Sequence, residues 1–353
     1  MSSSSSSAPG LNRRQFISRV GLGALALGLG VRGVAATAPK GKKLQGIFPI
    51  AQTPFTTADK LDVGALVKQL EFLDRGGVHG YVWPQLASEW TTLSEGERLE
   101  GMAAIGQSAR KLRPAIILGV QGPDLTTVRR YIGAAEKAGA DAIISLPPAD
   151  TSDVKAVAKY YQDVGHSTAL PMFVQAVGNM DVDLLLELYR TVPNMRFIKD
   201  EAGDPLQRVK PLREQSHDEI KVFSGNHGRK MIDELAAGFS GSMPAAGLAD
   251  LYATTFDLWQ AGKQDAARES HARTLAALDP MLRYGMEGMK YVLEARGVFT
   301  THAARTPPAT GSNSMKAAAK MATSGGAKTK PLDEAGQQEL RALIASLKPH
   351  LKA

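Results

Sequence analysis

Eight short apolar runs, each followed by a stretch with helical spacing, succeed one another between residues 43 and 243. No other feature of the chain limits its fold as much. The runs cover residues 46–52, 80–83, 115–119, 142–146 and 172–177, then the run ending at Lys199, then 221–224 and 241–243. A helix between two strands brings the chain back to the end it started from, so the strands it joins lie parallel. Eight such units close into a ring, and the sequence predicts an α/β fold, a (β/α)8 barrel.

Helix boundaries are legible between the runs. Leu66, Leu70 and Leu73 share one face of a helix expected over 62–75, with Gly76 and Gly77 as its stop. Ser94 and Glu97 form a capping box, and Gly139 suits the left-handed cap of a helix over 124–138. Further helices are expected over 153–167, 183–191, 205–214 and 229–237. Those over 251–261, 265–282 and 286–296 exceed what a barrel needs and predict a C-terminal helical extension, in which Met286, Met289 and Tyr291 serve as core or subunit contacts. Residues 309–330 are Ala, Gly, Ser, Thr and Lys with little to bury, and read as a disordered linker before a last helix over 333–347. The expected organisation is a barrel over 39–249, helices over 250–308, the linker, and a C-terminal segment over 331–353 that packs back on the body.

The formal charge of +7 hints at nucleic acid until its location is considered. Arg13, Arg14, Arg19 and Arg32 lie in the first 38 residues, where no acid balances them, and the remainder is close to neutral with no basic stripe among aromatics. No nucleic-acid partner is expected. Arg13 and Arg14 precede a weakly apolar, glycine-rich stretch, and Ala36-Thr37-Ala38 offers a small-x-small cleavage site, so residues 1–38 read as a twin-arginine signal peptide. That predicts a periplasmic or exported protein with no membrane association after the signal is removed. Gly28, Gly30 and Gly33 match a dinucleotide fingerprint by spacing, but no strand precedes them. Absence of cysteine excludes disulfides and thiol catalysis. The seven histidines, at 79, 166, 217, 227, 271, 302 and 350, show no metal-ligand spacing, and no metal or cofactor is expected.

Lys199 ends the sixth apolar run and is followed by Asp200, Glu201 and Gly203. Carboxyl ends of barrel strands open onto the ligand crevice, so the amine is expected in the mouth. An apolar setting favours the neutral, nucleophilic form of an amine, and the chemistry this points to is a Schiff base with a carbonyl substrate.

Thr53-Pro54-Phe55, Glu89 with the Leu93 to Arg98 stretch, Leu146-Pro147-Pro148, Ile198-Lys199-Asp200 and Ser224-Gly225 together give the chain its likeness. From about residue 44 to 347 it resembles the dihydrodipicolinate synthase and N-acetylneuraminate lyase family of class I aldolases. The resemblance implies that Lys199 is the Schiff-base lysine, that the substrate is a 2-oxo acid, sugar-derived acids included, and that the protein is a homotetramer or dimer. It also implies substrate contacts at Gln85, Ala87, Ser88 and Glu89, where family members carry Gly-Thr-Thr-Gly-Glu, and further contacts at Glu201 and Met243. A family tyrosine that shuttles protons is replaced by Gln175, and an amide is neither acid nor base near neutral pH. Another group must then move the proton; Asp200, Glu201, Glu89 and His227 are candidates, and His227 has the best unperturbed pKa. Trp83 and Trp90 flank the Gln85 loop and are placed to wall the pocket or to pack. The expected activity is a lyase with an altered proton relay; the alternative is a non-catalytic small-molecule-binding or regulatory protein of the same fold.

Overall fold

The computed structural model describes residues 41–305 and 329–353. The expected signal peptide, and all but the last two residues of the expected linker, lie outside the described residues.

Eight strands form the sheet: β1 (Gly46–Ile47), β2 (Gly80–Trp83), β3 (Ala115–Gly119), β4 (Ala142–Ser145), β5 (Met172–Ala176), β6 (Met195–Asp200), β7 (Lys221–Ser224) and β8 (Gly241–Ser242). They run parallel in the order β1-β8-β7-β6-β5-β4-β3-β2. A parallel bridge between Ile50 and Val82 closes the ring, with backbone hydrogen bonds from Ala51 N to Val82 O (2.9 Å) and from His79 N to Ile47 O (3.0 Å). The fold is the TIM barrel. β1 is shorter than the run at 46–52 because Pro49 has no N–H to give the ladder, and Pro244 ends β8 in the same way.

The barrel helices are α1 (Val63–Arg75), α2 (Glu95–Ala109), α3 (Leu125–Ala138), α4 (Val154–Gly165), α5 (Val182–Thr191), α6 (Pro205–Gln215), α7 (Met231–Ala236) and α8 (Ala249–Gln260). Asp62, Ser94, Asp124, Asp153, Asp181 and Asp204 each accept a hydrogen bond from a first-turn amide, which explains why the starts were legible. As the eighth helix after the eighth strand, α8 completes the last barrel unit, so the barrel runs past residue 249. Its Phe256 ring lies 5.0 Å from the His79 ring, next to β2. The extension proper is α9 (Gln264–Arg283), α10 (Gly285–Ala295) and α11 (Glu334–Leu347). Tyr284, Met289 and Tyr291 of this region are buried in one apolar cluster with Leu340 and Leu347.

Alternation along the strands divides the core in two. One set packs between sheet and helices; the other, including Phe48, Ile50, Val82, Ile144, Phe173, Phe223 and Met243, fills the ring itself. Phe173 stacks on Phe197 with centroids 4.6 Å apart, and Phe223 meets Phe48 edge-on at 5.0 Å. This aromatic plug is the floor on which the polar residues at the strand ends stand.

Candidate active site

Lys199 and Gln175 are register partners on β6 and β5, each two residues beyond a phenylalanine of the plug. The period of two therefore turns both inward, with Glu201 next in line beyond the strand; Lys199 reaches the mouth, whereas Gln175 is fully buried and not among the walls of the cavity there. Lys199 is 5% exposed and lines a cavity of about 1040 Å³ that Ala87, Trp90, Tyr160, Glu201, His227 and Met243 also wall.

Glu201 organises this group. Its Oε2 lies 3.0 Å from Lys199 Nζ and accepts a hydrogen bond from Gln175 Nε2 at 2.5 Å. Its Oε1 accepts one from the Asn226 amide at 3.2 Å. Burial alone raises such a carboxyl, but the charge of Lys199 and the three hydrogen bonds outweigh it and hold Glu201 below the ordinary range. The turn after β7 is shaped to this carboxylate: a Cβ on Gly225 would stand 2.1 Å from Glu201 Oε1. Gln175 Oε1 has no partner among the described residues.

His227 lies on the same wall. Burial, with help from the charges of Lys199 and Arg229 and against the pull of Glu201, pushes its imidazole down to about 4. The ordinary histidine pKa that recommended it from sequence is not the one it has here, and near neutral pH it is an uncharged ring. Asp200 also lines the cavity, but its carboxylate is taken up by other groups: Arg208 Nε donates to its Oδ2 at 2.8 Å and the Ala202 amide to its Oδ1 at 3.2 Å. Burial raises its pKa in spite of Arg208.

The loop after β2 departs from expectation. Ala87 lines the cavity, whereas Gln85, Ser88 and Glu89 are not among its walls. Ser88 Oγ donates to Ala51 O and accepts from Gln85 N, and Ser88 N is used in bonding Gln85 O at 2.9 Å. Gln85 Nε2 donates to Gln121 Oε1 at 3.0 Å. Glu89 is drawn to Lys290 of α10 and to the Arg305 amide, which donates to its Oε1 at 2.7 Å. A buried loop must satisfy its own polar groups, and here that consumes the donors the sequence offered to a substrate. Trp83 is likewise fully buried, its indole N–H donating to Thr53 Oγ1 at 3.0 Å, whereas Trp90 does wall the cavity.

Two cavity residues gave no sequence signal. Tyr160, on α4, turns its phenol to Ser145 Oγ at 2.7 Å, and burial pushes that phenol up to about 12, so it stays protonated. Its neighbour Tyr161 faces the core, and nothing in the pair Tyr160-Tyr161 tells which ring meets the cavity. Glu234, on α7, is the other; within a six-residue helix no periodicity marks its face.

A closed parallel barrel with one buried amine and its carboxylate at the carboxyl ends of the strands is a TIM barrel with its site where this architecture places chemistry. The chain belongs to the dihydrodipicolinate synthetase family, which matches it over residues 43–324. It is 25% identical over 190 residues to a 4-hydroxy-tetrahydrodipicolinate synthase of Methanosarcina mazei, covering 52% of this chain and 64% of that enzyme. The match thus spans less than two thirds of the synthase. It is 22% identical over 273 residues to the L-2-keto-3-deoxyarabonate dehydratase of Azospirillum brasilense, covering 74% of this chain and 88% of the dehydratase. Among solved structures, a prophage protein of the dihydrodipicolinic acid synthase family from E. coli K12, in complex with pyruvate, superposes with a TM-score of 0.73 at 19% identity, covering 86% of this chain and 99% of that one.

Proposed function

We propose that this protein is a lyase of the aldolase type that binds a 2-oxo acid as a Schiff base on Lys199. The observation that carries the reading is the buried Lys199 amine on the cavity wall, 3.0 Å from the Glu201 carboxylate. In this reading Glu201 takes the proton that Lys199 releases, and the free amine adds to the ketone carbon. The resulting carbinolamine then loses its hydroxyl as water, with Glu201 returning the proton. Filling the cavity excludes water, which favours the uncharged forms of an amine and a carboxyl in contact. The bond from Gln175 Nε2 aims the carboxylate. Glu201 thus does the work of the proton-shuttling tyrosine.

The test is to incubate the protein with pyruvate, reduce with borohydride and map the mass adduct. An adduct at Lys199 that disappears in Lys199→Ala supports the reading. Saturable binding without an adduct would favour the other reading, a receptor of the same fold, for which the paired state of Lys199 and Glu201 argues. We also propose export by the twin-arginine route and a homotetramer or dimer. The intact mass of the secreted form, cut after Ala38, checks the first, and sedimentation checks the second.

A further inference from the structure

Arg98, one turn into α2, is only 2% exposed. Its Nη1 and Nη2 donate to the backbone oxygens of Gln121 (2.6 Å) and Gly119 (2.8 Å), and its Nε has no partner among the described residues. The guanidinium carbon lies 3.7 Å from the centroid of the Tyr131 ring and 5.7 Å from that of Trp90. It has no ion-pair partner among the described residues; Glu95, whose field reaches it, is bonded instead to Arg130 at 3.1 Å. Burial brings its pKa down to about 10, so it keeps its charge at neutral pH. A desolvated cation without a counter-ion is costly, and the amino end of a helix is the wrong end for one.

The cavity lies directly in front of this charge. Trp90 and Gln121, which touch Arg98, both wall it. So does Tyr160, close enough that the charge of Arg98 offsets part of the rise burial gives its phenol. The wall itself is poor in positive charge. Lys199 is paired with Glu201, Asp124 and Asp204 also line the space, and the other cation on the wall is Lys230, which is exposed. An anion that enters meets carboxylates at least as often as ammonium groups, unless a charge behind the wall tips the balance.

We propose that Arg98 makes this cavity select anions: its unpaired charge, set behind Trp90, Gln121 and Tyr160, attracts a carboxylate-bearing ligand through the wall without touching it. That the ligand carries a carboxylate rests on the 2-oxo acid reading above; that Arg98 favours negative over neutral ligands does not. Arg98 also supports the wall, since Gln121 Nε2 donates to Pro84 O at 2.8 Å and its Oε1 accepts from Gln85. Charge and support are separated by the charge of the ligand.

The experiment titrates the full chain calorimetrically with pyruvate and with pyruvamide, its uncharged isostere. Arg98→Met is expected to lower the preference for pyruvate over pyruvamide roughly tenfold to thirtyfold, the size expected of charges about 8–10 Å apart at an effective dielectric of about 20. Arg98→Lys, which keeps a charge in the same place, retains most of the preference. A residue that only supports the wall weakens both ligands by the same factor, and a ratio unchanged in Arg98→Met overturns the proposal. Lys230→Met tests the same point without disturbing a buried position: the preference survives in it, and in about 0.5 M salt, because a buried charge is screened little. A preference that vanishes in either case comes from a surface charge and overturns the proposal, as does an unaltered protein that binds pyruvate no better than pyruvamide. If borohydride traps no adduct with either ligand, the Schiff-base reading fails, and the ratio still decides the role of Arg98.

Discussion

The ammonium of Lys290, on α10, is fully buried against the carboxylate of Glu89, in the loop after β2. Through that pair the C-terminal extension grips the loop that presents Ala87 to the cavity. The centroid of the Phe55 ring lies 4.3 Å from the same ammonium and 3.9 Å from the guanidinium carbon of Arg305, which is bonded to Glu97 and Asp59.

Removing one partner leaves the other charged and buried. Lys290→Met is expected to destabilise the protein by about 3–5 kcal/mol, measured by urea unfolding. The double variant with Glu89→Gln recovers much of the loss, because no lone charge remains.

Glu201→Gln keeps the shape of the site and removes its acid-base group. If Glu201 carries the proton, turnover falls by about 10²–10⁴-fold, while ligand binding measured by calorimetry changes little. The carboxyl works in its ionised form as the acceptor, and its pKa lies below the ordinary value of 4.5. The acid limb of the rate profile for the unaltered protein should therefore lie below that value too, with no inflection near it.

Gly225→Ala tests the fit between the β7 turn and the carboxylate. A methyl group there would stand 2.1 Å from Glu201 Oε1, so the carboxylate must move away from Lys199. Adduct formation with pyruvate should slow at least tenfold, or about 1.4 kcal/mol in the barrier, with the thermal transition retained.

Glu234 makes stability depend on pH. Its folded pKa of about 7 exceeds the ordinary 4.5, so between these values the folded state holds more proton than the unfolded one. Its contribution to stability is therefore lost as pH rises through that window. Glu234→Gln has no such dependence; relative to the unaltered protein it should gain up to about 3 kcal/mol by pH 8, and the gap should close towards pH 4.5. Urea midpoints across that range give the answer.

The fold was legible because its signals are local. Asp62, Ser94 and Asp124 cap the amides three residues ahead of them, and alternate strand residues separate into plug and outer layer by simple period. Lys199 was legible for the same reason, as the residue that the alternation carries from Phe197 into the mouth. The local signals also set a boundary too early, since nothing before or after residue 249 distinguishes the last barrel helix from the extension.

What surrounds the amine depends on chain segments far apart in sequence. Gln85, Ser88 and Glu89 have the right chemistry to meet a substrate, but Ala51, Gln121 and Lys290 claim their polar atoms first. Whether a donor faces a ligand or a neighbour is settled by which groups packing brings within three ångströms. The pKa of His227 and of Glu234 was equally out of reach, because burial is a property of the assembled layers and not of the residue. The sequence by itself determined the ring of eight strands and the amine at the end of the sixth, since these follow from periodicity. Only the tertiary structure decided that Glu201 is the partner of that amine, because the Asn226 amide in the turn after β7 and Gln175 on β5 hold its carboxylate there.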